Sequence, residues 1–241
     1  MSIYNYDLHI HSCLSPCADD DMTPNNIAGM SALNGLQIVA LTDHNSCANC
    51  PAFLDACRRQ GIVGIAGMEL TTSEDIHVVC LFEHLCDAQR FGEEIDRRRL
   101  PVKNRPEIFG DQLILDGEDN PIGTEDNLLS VATDLSVEGL RDFVKEFGGI
   151  CYPAHIDRDS NGIVAILGTL PDSLGFEAVE FRDRGNVEVY SERFCLAGKT
   201  IVIDSDAHFL EGIRDKEAYF DLPDGLSSPA EVRAELFKLL R

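Results

Sequence analysis

Histidine and acidic residues recur in short motifs that each accompany an apolar, strand-like run. Six of the seven histidines lie in five such motifs. The motifs are Asp7-Leu-His9-Ile-His11, Thr42-Asp43-His44, Glu69 with His77, Pro153-Ala-His155 and Asp204-Ser-Asp206-Ala-His208. Imidazole and carboxylate groups hold Zn, Mn and Fe in hydrolytic sites. One such motif would carry little information, but five predict a centre of more than one metal ion, and hence a metal-dependent hydrolase.

The spacing of these residues indicates how they share ions. His9 and His11 are two residues apart, so in a strand both side chains point to the same side, and Asp206 and His208 repeat this spacing. Glu69, from a middle strand, is the expected bridging carboxylate. With about four to six ligands per ion, the set fits two or three ions. The predicted ligands are His9, His11, Asp19, His44, Glu69, His77, His155, Asp206 and His208.

Length and composition favour one α/β domain over residues 1–241. The chain has 241 residues and a hydrophobic fraction of 44%, and α/β barrels often have this length. No run approaches the roughly 18–20 apolar residues that span a bilayer, and we see no signal peptide at the N-terminus. The nine cysteines are an odd number, which is typical of free thiols in a reducing cytoplasm. We therefore expect a cytoplasmic protein.

The net charge of the chain indicates which binding partners to expect. Lys and Arg total 20 against 42 Asp and Glu, a formal net charge of -22. An acidic surface repels polyanions at long range, so stable binding to duplex nucleic acid or to an anionic membrane is not expected. A small anionic substrate is compatible with this charge, because bound divalent ions reverse the local field. Oligomeric state is not readable from the sequence.

Strand-like and helix-like segments alternate along the chain. Thr23-Pro24 predicts the start of one helix, and Ser228 with Glu231 forms a capping box that predicts the start of another. The alternation predicts parallel βα units with the chemistry at the carboxyl ends of the strands. Residues 84–135 break this rhythm with a charged helix and a hairpin. This predicted insertion either covers the site or decorates the surface.

Taken together, the motifs resemble those of the polymerase-and-histidinol-phosphatase (PHP) family. They span residues 7–208 in the family's order. The segments that carry the resemblance are Asp7-Leu-His9-Ile-His11-Ser12, Thr42-Asp43-His44-Asn45, Gly67-Met-Glu69, Ile76-His77-Val78-Val79, Pro153-Ala-His155 and Ser205-Asp206-Ala-His208.

The resemblance implies a distorted (β/α)7 barrel that holds two to three divalent ions (Zn, Mn or Fe) and cleaves phosphoesters. A nucleotide or a short oligonucleotide is the expected substrate. The alternatives are a phosphomonoesterase acting on another metabolite, such as histidinol phosphate, and a metal-binding module without catalysis. One departure concerns the loop after His11, which is longer than in many members. Counting back from Thr23 places Asp19 in the ligand position, with Asp20 as its competitor.

The expected reaction is attack on phosphorus by a hydroxide that bridges the metals. Asp43 or His208 would transfer a proton. Arg158, Arg182 and Arg184 are the candidate phosphate-binding residues, because the guanidinium fork matches phosphate oxygens; ordinary surface ion pairing is the alternative.

Four further cysteines follow the first two histidine motifs. Cys13 and Cys17 follow His11, and Cys47 and Cys50 follow His44. If the two loops meet, these thiols form a second metal or cluster site; otherwise they are four free thiols on neighbouring loops.

Overall fold

The structure, a computed structural model, describes residues 1–241. The strands are β1 (Ser2–Asp7), β2 (Ile38–Leu41), β3 (Val63–Thr71), β4 (His77–Phe82), β5 (Leu113–Leu115), β6 (Pro121–Thr124), β7 (Gly149–Pro153), β8 (Ala178–Phe181), β9 (Thr200–Ile203) and β10 (Tyr219–Leu222). The helices are α1 (Pro24–Leu33), α2 (Cys50–Gln60), α3 (Leu85–Arg98), α4 (Pro106–Phe109), α5 (Leu140–Glu146), α6 (Ile163–Leu167), α7 (Asn186–Arg193) and α8 (Pro229–Leu240).

Six strands form the main sheet in the order β10-β1-β2-β3-β4-β7, and β8 and β9 form a separate parallel pair. β1, β2 and β3 are parallel, as predicted, and every residue of β2 and β3 is buried. β4 is antiparallel to both β3 and β7, so the expectation of parallel strands throughout is wrong here. The reason is local: a tight turn, closed by the Thr72 N–H to Ile76 carbonyl bond of 2.9 Å, joins β3 to β4. A parallel pair would need a longer crossover.

The main sheet and the β8–β9 pair curl around one interior. A parallel bridge joins Ile10, after β1, to Ala207, after β9. On the other side, the Ile156 N–H donates to the Glu180 carbonyl at 2.9 Å and so connects the end of β7 to β8. These links agree with the predicted distorted α/β barrel. The count of seven βα units stays a prediction. β3 is followed directly by β4, without a helix between them.

Helix boundaries follow the capping signals where those signals are complete. The Thr23 side chain accepts from the Asn26 N–H at the start of α1, and the Ser228–Glu231 capping box opens α8, both as predicted. Ser136 also has a residue type that favours a helix N-cap, but the helix that follows it begins at Leu140. The Ser136 hydroxyl bonds to the Glu74 carboxylate and accepts from the Glu138 N–H at 3.2 Å, which closes a local turn before the helix.

Residues 84–135 contain α3, α4 and the β5–β6 hairpin. α3 buries Ala88, Phe91 and Ile95 on one face against the core. The hairpin lies on the loops at the strand ends, since the Leu113 N–H donates to the Cys13 carbonyl at 3.1 Å. This contact places the segment beside the residues that follow β1 and β2. None of the helices is both long and apolar enough to cross a bilayer.

Candidate metal centre

Eight of the nine predicted ligands converge at the end of the barrel where β1, β2, β3, β7 and β9 end; Asp19 does not. His77 begins β4 rather than following it, but β4 runs in the opposite direction to β3, so its first residue reaches the same end. Three groups of side chains bring their ligand atoms to within 4.8 Å of one another. They are His9, His11, Glu69 and Asp206; His44, Glu69 and His77; and His11, His44 and His208. Glu69 belongs to two groups, which fits its expected bridging role.

The first group has donor spacings that suit a single ion. His9 Nε2 lies 3.1 Å from His11 Nε2, and each of these nitrogens lies 3.3–3.5 Å from a Glu69 oxygen and from Asp206 Oδ1. Metal–nitrogen bonds of about 2.0–2.1 Å in a tetrahedral site put neighbouring donors ~3.3–3.4 Å apart. All four side chains are buried. Their separation and burial therefore fit a bound divalent cation.

Glu69 is the centre of the second group. Its Oε2 lies 3.0 Å from His44 Nδ1, and its Oε1 lies 2.8 Å from His77 Nδ1 and 3.0 Å from His155 Nε2. Glu69 Oε2 and the Nδ1 atoms of His44 and His77 are buried and have no hydrogen-bond partner. Unsatisfied buried polar atoms are costly in proteins, so this arrangement also fits a ligand set for a cation.

Glu180 fixes the orientation of His9. His9 Nδ1 lies 3.0 Å from both carboxylate oxygens of Glu180, and the His155 N–H donates to Oε1 of the same carboxylate at 3.0 Å. With Nδ1–H held by the carboxylate, Nε2 of His9 faces the cluster, as is usual for metal-binding histidines. Glu180 lies outside the predicted ligand set; its signal in the sequence is an acidic residue inside the apolar β8 segment Ala178–Phe181.

Ser15 and Asp43 orient His11 in a similar way. The Ser15 hydroxyl donates to Asp43 Oδ1 at 2.7 Å and lies 2.9 Å from His11 Nδ1. Asp43 also accepts from the N–H and hydroxyl of Ser12, both at 2.7 Å. Both oxygens of Asp43 are therefore occupied by the loop after β1, an arrangement that favours an anchoring role over the predicted proton transfer.

Burial and neighbouring charges shift the pKa values of several groups in the cluster. Burial alone would lower the pKa of His9, but the carboxylates of Glu180, Glu69 and Asp206 raise it well above its usual value. Burial likewise opposes protonation of His44, yet Glu69 and Cys17 raise its pKa to about 10. Burial would raise the pKa of Glu69, and the surrounding histidines hold it well below its usual range. Without bound ions, the carboxylates therefore favour protons on His9 and His44, whereas burial lowers the pKa values of His11 and His77.

Two predicted ligands lie at strained backbone positions. His155 has φ 27° and Asp206 has φ 52°, in the left-handed region that non-glycine residues rarely adopt. Such strain persists where the surrounding structure determines it, and it is common at functional sites. At Asp206 the surroundings include Arg158, whose Nη1 donates to Oδ2 at 2.6 Å.

Asp19 does not join the cluster. It is exposed and belongs to none of the three ligand groups, and its competitor Asp20 is exposed as well. The Asp19 N–H donates to the His208 carbonyl at 2.9 Å, so the backbone runs past the site here. The side chain that reaches the cluster is Cys17, whose Sγ lies 3.2 Å from His44 Nε2.

The four loop cysteines do not meet at one point. Cys17 lies beside His44, whereas the Sγ atoms of Cys47 and Cys50 lie 3.2 Å and 3.5 Å from the Gly67 carbonyl inside the core. None of the three groups of close ligand atoms contains a cysteine sulfur. Cys13 is buried apart from them, and burial with the nearby Asp43 raises the pKa of its thiol to about 12. The structure thus gives no support to the predicted four-sulfur site.

The three predicted arginines lie along one open groove beside Asp206. Arg158 reaches the cluster directly through its bond to Asp206. Arg182 and Arg184 are exposed, and Arg184 Nη2 donates to the Glu217 carbonyl at 2.9 Å. Arg214, which sequence analysis did not single out, lines the same groove. Four guanidinium groups thus line the groove, together with the carboxylates of Asp157, Asp183 and Glu217.

Comparison with known families identifies the class of this protein. The profile of the PHP domain matches residues 7–136, more than half of the chain. The chain therefore belongs to the PHP family, whose members are metal-dependent phosphoesterases, and the predicted family and enzyme class are confirmed. No curated protein is significantly similar to the chain in sequence.

Solved structures share the fold at low sequence identity. Endonuclease Q from Pyrococcus furiosus, described as lesion-specific, superposes with a TM-score of 0.68 at 18% identity, over 96% of this chain and 55% of that protein. Endonuclease Q bound to duplex substrate with an abasic lesion gives 0.69 at 18% identity, over 99% and 57%. A protein from Bifidobacterium adolescentis, assigned as a metal-dependent phosphoesterase, gives 0.61 at 18% identity, over 98% and 96%. This chain thus spans little more than half of the endonuclease.

Proposed function

We propose that this protein hydrolyses a small phosphorylated substrate, a nucleotide or short oligonucleotide, with two to three divalent ions. The observation that carries the proposal is the buried set of His9, His11, Glu69 and Asp206, whose donor atoms have the spacing of ligands around one ion. Zn, Mn and Fe all accept these ligand types.

The other ligands extend the centre in two directions. Glu69 with His77 and His155 would hold a second ion, and His44 with His208 would supply donors for a third. Divalent ions held in such a centre supply positive charge to a phosphate and lower the pKa of coordinated water. The protein's own contribution is to fix these ligands, chiefly through Glu180 and Ser15.

The arginine groove would orient the substrate. Arg158 stands at the edge of the cluster, and Arg182, Arg184 and Arg214 continue away from it. Guanidinium groups bind phosphate oxygens in a bidentate manner, so one phosphate at the metals and further anionic groups along the groove would suit a nucleotide or a short oligonucleotide.

His208 is the candidate for proton transfer to the leaving group. Its side chain is 22% exposed, the largest value among the six histidines of the cluster. Its Nδ1–H is held by the Asp206 carbonyl at 2.8 Å, so Nε2 is the nitrogen at the open side of the centre, and it would transfer a proton only when no ion occupies the third position.

A substrate panel tests the proposal. Metal-loaded protein would be assayed on p-nitrophenyl phosphate, a nucleoside monophosphate, a dinucleotide, histidinol phosphate and duplex DNA with an abasic site. We expect turnover of the nucleotide or dinucleotide, and none of the duplex, because an acidic surface repels a polyanion. Preferred turnover of histidinol phosphate would support the phosphomonoesterase alternative. No turnover of any phosphoester by fully loaded protein would contradict the proposal and favour a metal-binding module.

The Asp206→Asn variant is the matched negative control, since it removes one charged ligand with little change in shape. Glu177→Gln, an exposed residue paired with Arg141 at 2.8 Å, controls for the loss of a carboxylate away from the centre. The proposal requires that the first substitution abolish turnover and the second leave it unchanged.

A further inference from the structure

One end of the metal centre carries a sulfur atom where the sequence predicted a carboxylate. Cys17 Sγ lies 3.2 Å from His44 Nε2. The ligand atoms of His11, His44 and His208 lie within 4.8 Å of one another, and no carboxylate belongs to that group. We propose that Cys17 binds a metal ion together with His44 and His208, so that this position of the centre is a mixed sulfur–nitrogen site.

The loop after β1 holds Cys17 in this place. Two successive turns, Ser15 N–H to Ser12 carbonyl at 2.9 Å and Ala18 N–H to Ser15 carbonyl at 3.0 Å, fold the chain back toward the cluster. The bond from the Asp19 N–H to the His208 carbonyl then fixes the loop against the β9 motif. Cys17 is thereby held beside His44 at the exposed side of the centre, whereas the Asp19 side chain, also exposed, has no bond to a histidine of the cluster.

The buried ring of His44 lies between Glu69 and Cys17. His44 is 6% exposed, and its Nδ1 has no hydrogen-bond partner although it faces Glu69. Its other ring nitrogen faces the sulfur. Each ring nitrogen of His44 thus faces a group that binds metals, Glu69 on one side and Cys17 on the other. Neither nitrogen bonds to any other polar side chain.

The chemistry of the donor set predicts metal selectivity. Thiolate is a soft ligand and favours Zn, Fe(II) and Co(II) over Mn and Mg, whereas carboxylates suit Mn and Mg. The Cys17 position is therefore expected to select a thiophilic ion, while the group with Glu69 and Asp206 accepts a wider range. This inference rests on the proposed metal centre but not on its hydrolytic activity.

Cobalt substitution gives a direct test. Metal-free protein would be titrated with Co(II) and followed by the thiolate-to-cobalt charge-transfer absorption in the near ultraviolet. We expect the band in the wild type and in Cys86→Ser, a control at another exposed cysteine. We expect its loss in Cys17→Ser and in Cys17→Asp, with Cys17→Asp still binding as many cobalt ions as the wild type. A band that persists in both Cys17 variants, or its absence from cobalt-loaded wild type, would overturn the assignment.

Alkylation gives a second test without substitution. Iodoacetamide would be reacted with metal-free and zinc-loaded protein, and each cysteine would be followed by peptide mass spectrometry. We expect zinc to slow alkylation of Cys17 at least tenfold, while exposed Cys86 and Cys195 react at unchanged rates. Equal rates at Cys17 in both forms would contradict metal ligation. Neither readout depends on turnover, so an inactive protein with the cobalt band would overturn the proposed function and leave the sulfur site intact.

Discussion

Carboxylates outside the ligand set determine how the histidines present their nitrogens. Glu180 holds Nδ1 of His9 at 3.0 Å, and Ser15 with Asp43 holds Nδ1 of His11. In each case Nε2 is directed at the other ligands. Outer partners of this kind orient the ligand and raise its basicity.

Substitution of Glu180 tests this role. Glu180→Gln keeps the size of the side chain but removes the charge that stabilises His9 Nδ1–H, so we predict a loss of metal affinity of about 10–100-fold. Metal titration of the purified variant measures the loss. Glu177→Gln, at the start of the same chain segment, should bind metal like the wild type. Equal affinity for Glu180→Gln would show that His9 needs no outer carboxylate.

The pKa shifts predict a pH dependence of metal binding. Burial opposes protonation of His44, but Glu69 raises its pKa to about 10, so the metal-free protein carries this proton at neutral pH. A metal competes with the proton, and affinity should therefore rise with pH up to that value. Titration of metal at about pH 6 and about pH 8, in buffers of different ionisation enthalpy, measures both the affinity and the protons released. Affinity independent of pH, with no proton release, would contradict the coupling.

The same shift has a consequence for the metal-free fold. Because the pKa of His44 in the folded state lies above its usual 6.5, its pairing with Glu69 stabilises the fold fully below that pH. This contribution is lost as pH rises through about 10.

The convergence of the histidines with Glu69 and Asp206 was predictable because each lies in or next to a recognisable strand. Asp19 was placed wrongly, and Cys17 was predicted only as part of a four-cysteine site, since the loop of residues 12–23 has no repeating geometry from which to read direction. Glu180 was missed because its approach to His9, 171 positions away, exists only after β8 packs beside β7 and β9.

At the scale of elements, two asparagines attach the segment 84–135 to the metal centre. Asn49 Nδ2 donates to the Leu113 carbonyl and to Ser12 Oγ, both at 3.0 Å, and its Oδ1 accepts from the Leu115 N–H at 2.9 Å. Asn45, next to His44, donates to the carbonyls of Leu129 and Val131 at 2.7 Å and 2.8 Å. The hairpin is thus fixed to the ligand-bearing loops.

Removal of the Asn49 amide should loosen this attachment. Asn49→Ala leaves buried backbone groups of β5 without partners, so we predict a loss of about 1–3 kcal/mol in the free energy of unfolding. Urea denaturation measures the loss, and hydrogen exchange should show faster exchange at Leu115. Asn26→Ala, on the exposed face of α1, should change stability by less than about 0.5 kcal/mol. Equal stabilities of the two variants would show that Asn49 does not hold the hairpin.

Element types and ends were predictable where local signals were complete, as at Thr23 and Ser228. The antiparallel direction of β4 was not, because a buried strand looks alike in either direction and only the short turn after Thr71 decides it. β10 was not predicted, because the strand that it pairs with, β1, lies at the opposite end of the chain.

For the whole molecule, the centre concentrates buried charge that bound ions would neutralise. We predict that divalent metal at about a hundredfold excess over Kd stabilises the fold by about 2.7 kcal/mol. For a chain of this size that corresponds to a rise in Tm of ~5–10 °C. Thermal unfolding with and without chelator measures the shift. The Asp206→Asn variant should lose most of it; a full shift in that variant would place the stabilising ion elsewhere.

The metal content per chain tests the central claim most directly. Protein purified without chelator and reloaded with Zn, Mn or Fe would be analysed for elements alongside the Asp206→Asn variant. Two to three equivalents in the wild type, and fewer in the variant, are the expected result. Less than one equivalent in the wild type after reloading would mean that the ligands do not bind metal as a set, and would contradict the phosphoesterase centre.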